Sequence, residues 1–494
     1  MTSEVLENRP GRKGMHNSTP EYPESDLGEG EIQFITVSHP SQLKGKPAQK
    51  IIRKHVMGEV AKAKRRVQRT YQVSSNEQSF KGGKGTKALS LSWLGAGEVD
   101  PFVKYPIELD GSSRALVANI FQGKGSAQRA LRNAWYSVGL FDFAAFHLVL
   151  SNSALAIQML RNGLKFVNNE DSEVLKHHVI ATRSINARLA SPDHRTSDGV
   201  IGAVAGLVCH DYVSGLYERW RIHVNGLKEL IALRGGIDTI KREDLRDTIT
   251  WVDLCGAYCQ DIPPSFPTPR SWKTYPQPFS PFLANSKFSS PLTAAFKKRM
   301  YQHPEIVSIF DDLTACTALT SYESKHLGPD YWLKSTFAPY GAWTNPTIHR
   351  LLTLRPLSLE CTQETVIAEV CRAGGLLYIA PIWRKFGASP ARTADLIKHL
   401  MSTLETYVVD WGELRPFLLW TMFFGCLEAP AGDERDWFLF RIAKLMRSLE
   451  MKWADYMAPV RGVMFLDEVF AGTDGFVRAE IEEFLSRVSQ VNIV

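Results

Sequence analysis

The sequence predicts an all-α protein, a multi-helix domain of stacked helical hairpins preceded by a disordered N-terminus and a basic arm helix. Three observations predict it. Wherever the chain is apolar, its large hydrophobic residues recur at spacings of three and four, and nowhere is an alternation of two sustained. No stretch alternates strand and helix in the way a nucleotide-binding sheet requires. The chain is 44% hydrophobic and 22% charged over 494 residues, ordinary globular values that leave material for a large core in roughly two to four packed units.

Residues 1–30 mix Glu, Asp, Gly, Pro and Ser with few large apolar side chains; they cannot bury enough surface to fold and are expected to be disordered. Residues 31–71 form the arm. Within it, Ile32–Val37 reads as a short extended piece stopped at His39-Pro40. From Ala48 to about Tyr71 the spacing predicts a helix, with Ile52, Val56, Val60, Ala63 and Val67 on one narrow stripe. Between Lys44 and Arg69, ten basic residues face Glu59 alone, a net +9 in a chain whose total is +6. The remainder is therefore slightly acidic, and the positive charge belongs to one segment, as a local polyanionic partner or an import receptor would require. Residues 72–99, including Lys81-Gly82-Gly83-Lys84-Gly85, are expected to be flexible linker.

Residues 100–494 are expected to form the helical domain. Glu173–Ala190 carries Leu175, Val179, Ile185 and Leu189 and closes at Ser191-Pro192-Asp193. Asp198 is the expected N-cap of a helix bearing Val200, Ile201, Val204, Leu207 and Val208. Trp220–Arg234 stops at Gly235-Gly236, where a left-handed residue is needed. Leu245, Ile249 and Val252 begin the next helix. Eight prolines then make 261–293 a long irregular excursion. Helices are expected near 305–325, 345–355, 362–385, 392–410, 414–428, 434–457 and 476–488. No repeat of solenoid period is present. Phe143–Leu160 is long and uncharged, but His147, Ser151, Asn152, Ser153 and Gln158 interrupt it, so a buried core helix is expected in place of a membrane span. No apolar run follows the N-terminus, so no signal peptide is expected.

Motifs for chemistry are few. Gly28-Glu29-Gly30 and Gly95-Ala96-Gly97 lack the third glycine of a dinucleotide fingerprint, and the Gly82–Lys87 run lacks a P-loop ending. No Gly-x-Ser-x-Gly elbow is present. His177-His178 is adjacent where zinc sites space histidines three or four apart on one helix face; neighbouring side chains point about 100° apart, so a helix-surface or cap role is expected. The seven cysteines are scattered and odd in number, as reduced, buried thiols of a cytosolic or nuclear protein would be. Cys255 and Cys259 are expected to be small core residues, and Asp311-Asp312 and Glu482-Glu483 helix-surface charge. No catalytic, cofactor-binding or metal-ligating residue and no cofactor is expected. The candidate site is the arm: Lys50, Arg53, Lys54, Lys62, Lys64, Arg65, Arg66 and Arg69, as contacts to nucleic-acid phosphates or to the import machinery.

Several segments in fixed order resemble a known family. Phe34–Pro40, then Ile52–Met57 and the Lys/Arg run, resemble an arm. Asp100-Pro101-Phe102 and Tyr105-Pro106-Ile107 resemble the start of a helical region. Thr196-Ser197-Asp198 through Val208, His223–Leu227 through Leu233–Gly236, and Trp251–Leu254 resemble its central block; Cys371–Tyr378, Leu418–Gly425 and Glu434–Phe438 resemble later landmarks. The family is that of fungal-specific transcription factor domain proteins, in the subgroup that often lacks a zinc cluster. The resemblance implies a nuclear, all-α regulatory domain without catalytic residues, binding protein partners or a small effector and no membrane. One departure from the wider class is plain: no cysteine precedes Cys209, so the six-cysteine, two-zinc DNA-binding module is absent from these residues, and the arm is its only visible substitute. Three functions follow as alternatives: a transcription-regulator-like protein, an interaction scaffold that does not bind DNA, and an enzyme whose helical active site has no linear motif.

Overall fold

The architecture follows from which helices are apolar on one face and which are apolar all round. A computed structural model describes residues 104–122, 135–162, 172–273, 291–328, 343–355, 362–387 and 391–491. Of these residues 79% are helical, in 18 α-helices, with no strand among them. All belong to one compact unit.

The N-terminal half is built around α5 (Asp198–Ser214), after α1 (Gly111–Gln122), α2 (Ser137–Gly139), α3 (Phe143–Asn162) and α4 (Ser172–Leu189). From Val200 to Tyr212 every residue of α5 is buried, so this helix has no solvent face. Its small residues let neighbours approach: Gly202 lies against Val138 and Gly206 against Leu148. Asp142 caps α3, its Oδ1 accepting from the amides of Ala144 (2.9 Å) and Ala145 (3.0 Å). Ser197, not Asp198, caps α5: the Ser197 hydroxyl accepts from Val200 N, while the Asp198 carboxylate turns to Arg234. The serine has the extended backbone a cap needs. α6 (Tyr217–Arg234) ends as its glycines predict, with Gly235 at φ 102° and Gly236 N bonded to Ile231 O at 2.9 Å, a Schellman closure.

α7 (Glu243–Cys259) packs on α5 and α6 and carries the chain to the second half. There α8 (Arg270–Lys273), α9 (Pro291–Arg299), α10 (Pro304–Leu327) and α11 (Thr344–Thr353) precede a second core helix, α12 (Gln363–Phe386). The predicted excursion is irregular over 261–269, and 274–290 lie outside the described residues. It ends three residues early, because Pro291 is compatible with the first turn of α9. α12 is long and apolar enough to cross a membrane, but 94% of its apolar window is buried inside the protein. It pairs with α14 (Arg415–Glu428), flanked by α13 (Ala394–Thr406), α15 (Asp433–Ser448) and α16 (Trp453–Val463); α17 (Asp467–Phe470) and α18 (Thr473–Val491) close the chain. The expected single helix 434–457 is two. Glu450 adopts φ 50° and Met451 N turns back to Met446 O at 2.8 Å, ending α15 before α16 begins. The halves meet where α7 packs on α11 and α13.

Close approach at Gly256 makes a direct test of this packing. A Cβ there would fall 2.1 Å from Cε2 and Nε1 of Trp220, a ring only 2% exposed. Gly256→Ala therefore overpacks α6 against α7 and is expected to cost about 1–3 kcal/mol, even though alanine favours the helix. Urea denaturation checks it; a variant as stable as the parent would show that α6 and α7 are not this close.

Candidate functional site

Where the halves meet, the core holds charge. Arg372 lies inside α12 with no exposed surface, and a guanidinium there needs partners for every donor. It has them. Nη1 and Nη2 donate to the two carboxylate oxygens of Asp261 at 2.8 and 2.9 Å. Nε and Nη2 donate to Glu369 at 2.8 and 2.7 Å. Asp261, just past α7, adopts φ 50°, a left-handed conformation that aspartate tolerates better than most residues. Arg355, at the end of α11, donates to the same carboxylate at 2.6 Å and to the Asp261 carbonyl at 2.8 Å. His399 of α13 donates Nε2–H to Glu369 Oε1 at 2.5 Å. Burial pushes the Glu369 carboxyl up, but the hydrogen bonds from Arg372 and His399 outweigh it and hold it at about 2. The Arg372 guanidinium is pushed down by burial and, more strongly, up by Glu369 and Asp261.

Asp261, Glu369 and His399 each place one potential ligand atom within 4.8 Å of the others. The same oxygens already accept from two guanidiniums, so an entering cation would meet two fixed positive charges. The centre is thus a closed ion-pair network. Its work is mechanical: it locks α7 to α11, α12 and α13 with directional bonds.

A second polar cluster sits among α3, α4, α5 and α6. His177 is buried against His147, with their Nδ1 atoms 2.8 Å apart, and His178 packs on His210 with ring centroids 4.7 Å apart. The His210 Nδ1–H donates to Asn152 Oδ1 at 3.1 Å. Next to them His223 and Arg219 both bond the Asp211 carboxylate, His223 Nδ1 at 2.6 Å and Arg219 Nε at 2.9 Å. The expectation of a surface or cap role for His177-His178 is corrected: adjacency on one helix sends the two rings to two different neighbours, α3 and α5. Burial pushes His147 down to about 4, with the His177 and Lys176 charges adding to it, and His210 to about 3, with His178 adding. His177 and His178 are lowered first by burial as well.

Asp253, fully buried on α7, holds the start of the proline-rich segment by accepting from Ser265 N (2.6 Å) and Phe266 N (2.9 Å). Burial pushes its carboxyl up to about 7, against the lowering effect of those amides. Cys255 and Cys259 are buried as expected, 3% exposed each. Asp311 and Asp312 pair on the surface with Lys297 and Arg350.

Residues 117–326 match the family model described as fungal specific transcription factor domain, the family that the sequence resembles. The match supports a transcription-regulator-like role. No curated protein and no solved structure matches the chain significantly. The matched segment contains Asp261 but not Arg355, Glu369, Arg372 or His399, so the ion-pair network ties the family segment to the rest of the chain.

Lys50, Arg53, Lys54, Lys62, Lys64, Arg65, Arg66 and Arg69, the candidate contacts of the arm, lie outside the described residues, as do the segments 1–30 and 72–99 and the glycine pairs. Sequence reasoning missed the ion-pair network. Its one linear signal is Glu369 and Arg372, spaced i, i+3 within otherwise uncharged text from Thr365 to Ile382.

Proposed function

We propose that this protein is a nuclear regulator of transcription whose helical domain binds protein partners or an effector and whose arm contacts nucleic-acid phosphates without reading sequence. The match of residues 117–326 to the fungal transcription factor domain carries the reading; the +9 segment Lys44–Arg69 supports the role of the arm. Lysine and arginine release condensed counterions when they meet phosphates, so binding should weaken steeply with salt. If roughly four phosphates are neutralised, a fourfold rise in salt weakens binding on the order of a hundredfold. Changing Lys62, Lys64, Arg65, Arg66 and Arg69 to Ala is expected to flatten that slope and shift the tagged protein toward the cytoplasm. Unchanged salt dependence together with normal nuclear entry would reduce the arm to a solvated face. Residues 1–208 contain no cysteine, which favours as second reading a scaffold that reaches promoters only through partners. Chromatin occupancy that survives the five-alanine change would favour that scaffold.

A further inference from the structure

The histidine cluster has the geometry of a latch on α4. His177 and His178 are consecutive, yet one ring is held by α3 through His147 and the other by α5 through His210. Three of the four rings are buried, His147 6%, His177 1% and His210 2% exposed, and His178 is half-buried. Two Nδ1 atoms 2.8 Å apart share one proton, one ring donating and the other accepting. A second proton at that contact turns the acceptor into a donor and sets two N–H groups against each other. In the other pair, His210 has already committed its Nδ1–H to Asn152, so a further proton places a buried charge against the face of His178.

The surrounding charges relieve this only in part, Glu173 and Asp110 favouring a protonated His177 and Asp211 a protonated His178 and His210 without offsetting burial. From α4 itself Glu173 approaches His177 Nε2 only to 3.7 Å, and its carboxylate also accepts from the Ser112 hydroxyl. Lys176, also on α4, pairs with Asp110 ahead of α1 at 2.9 Å and sets a positive charge near His147 and His177. From α5, Asp211 is engaged by Arg219 and His223 of α6; α3 contributes the neutral Asn152 and the ring of Phe143 against His147.

We propose that the two histidine pairs form an acid-sensitive latch, which holds α4 on α3 and α5 at neutral pH and releases it when each pair must take up an extra proton. The sign follows from linkage. The buried rings resist protonation, whereas in a detached helix they protonate near the ordinary value of 6.5. The latch is therefore at full strength above about pH 6.5 and weakens as pH falls below it, until the folded-state rings protonate in turn.

Amide hydrogen exchange of the full chain at pH 7.5 and pH 5.0, corrected for the intrinsic rate, tests this. Exchange across 173–189 is expected to rise at least tenfold relative to the core helix α12. Equal acceleration of both helices, or none in α4, overturns the proposal. In His147→Gln/His177→Gln, a folded protein should keep more of its α4 protection at pH 5.0 than the parent does, and equal loss would also overturn it. If that pair does not fold, the ratio of α4 to α12 exchange in the parent decides alone.

Discussion

Arg372→Met is expected to cost on the order of 3–5 kcal/mol, because it strands buried carboxylates instead of removing a contact between exposed groups. Arg372 supplies four of the donated bonds that Asp261 and Glu369 receive, whereas Arg355 and His399 are already engaged with Asp261 and Glu369. The pH dependence carries the sharper expectation. In the parent, Glu369 is held at about 2, so its contribution is present above the unfolded value of 4.5 and is lost as pH falls through 2. Without Arg372, burial pushes this carboxyl upward, and the variant loses stability as pH rises through the raised value. The deficit should thus narrow between pH 7 and pH 5. Asp261→Asn/Glu369→Gln/Arg372→Met should recover much of the loss, since the fully buried charges leave together and Arg355, 25% exposed, keeps the backbone carbonyl of residue 261. Denaturant titration of the three proteins checks each step; a deficit under 1 kcal/mol that ignores pH would show that Arg355 and His399 suffice.

Trp420→Ala should be comparably damaging in the C-terminal half, at about 3–5 kcal/mol. Trp420 is wholly buried, with ring centroids 5.4 Å from Tyr378 and 5.3 Å from Phe424. Its Nε1–H donates to Met464 O at 2.8 Å, across to the end of α16. Alanine leaves a cavity bounded by large rings that cannot collapse into it without leaving their own contacts. Trp420→Phe keeps most of the apolar volume and loses the hydrogen bond, so about 1–2 kcal/mol is expected. If alanine and phenylalanine prove equally costly, the indole hydrogen bond and not the packing is what matters at this position.

Much of the architecture was legible because helix formation is written locally. The three-to-four spacing marked the helices, and Gly235-Gly236 marked the end of α6, since only glycine takes a left-handed residue there without strain. The misplaced ends had local causes too. Ser197 and Asp198 are both good caps by type, and only the backbone of Ser197, together with the pull of Arg234 on Asp198, separates them. The break at Glu450 left no glycine or proline to read, because there a non-glycine residue takes φ 50°.

The sequence by itself determined that the chain is helical, that Phe143–Leu160 is a buried core helix and not a membrane span, that its thiols are scattered, and that its positive charge is gathered in one arm. These are properties of composition and of spacing within about ten residues, which local geometry and burial translate directly into structure. The tertiary structure alone decided what the buried polar groups do. Asp261 lies 111 residues from Arg372, and His147 lies 30 residues from His177. An isolated His177-His178 or a lone arginine in an apolar helix tells nothing of its partner, because a charge or a ring is satisfied by whatever packing brings within about 3 Å.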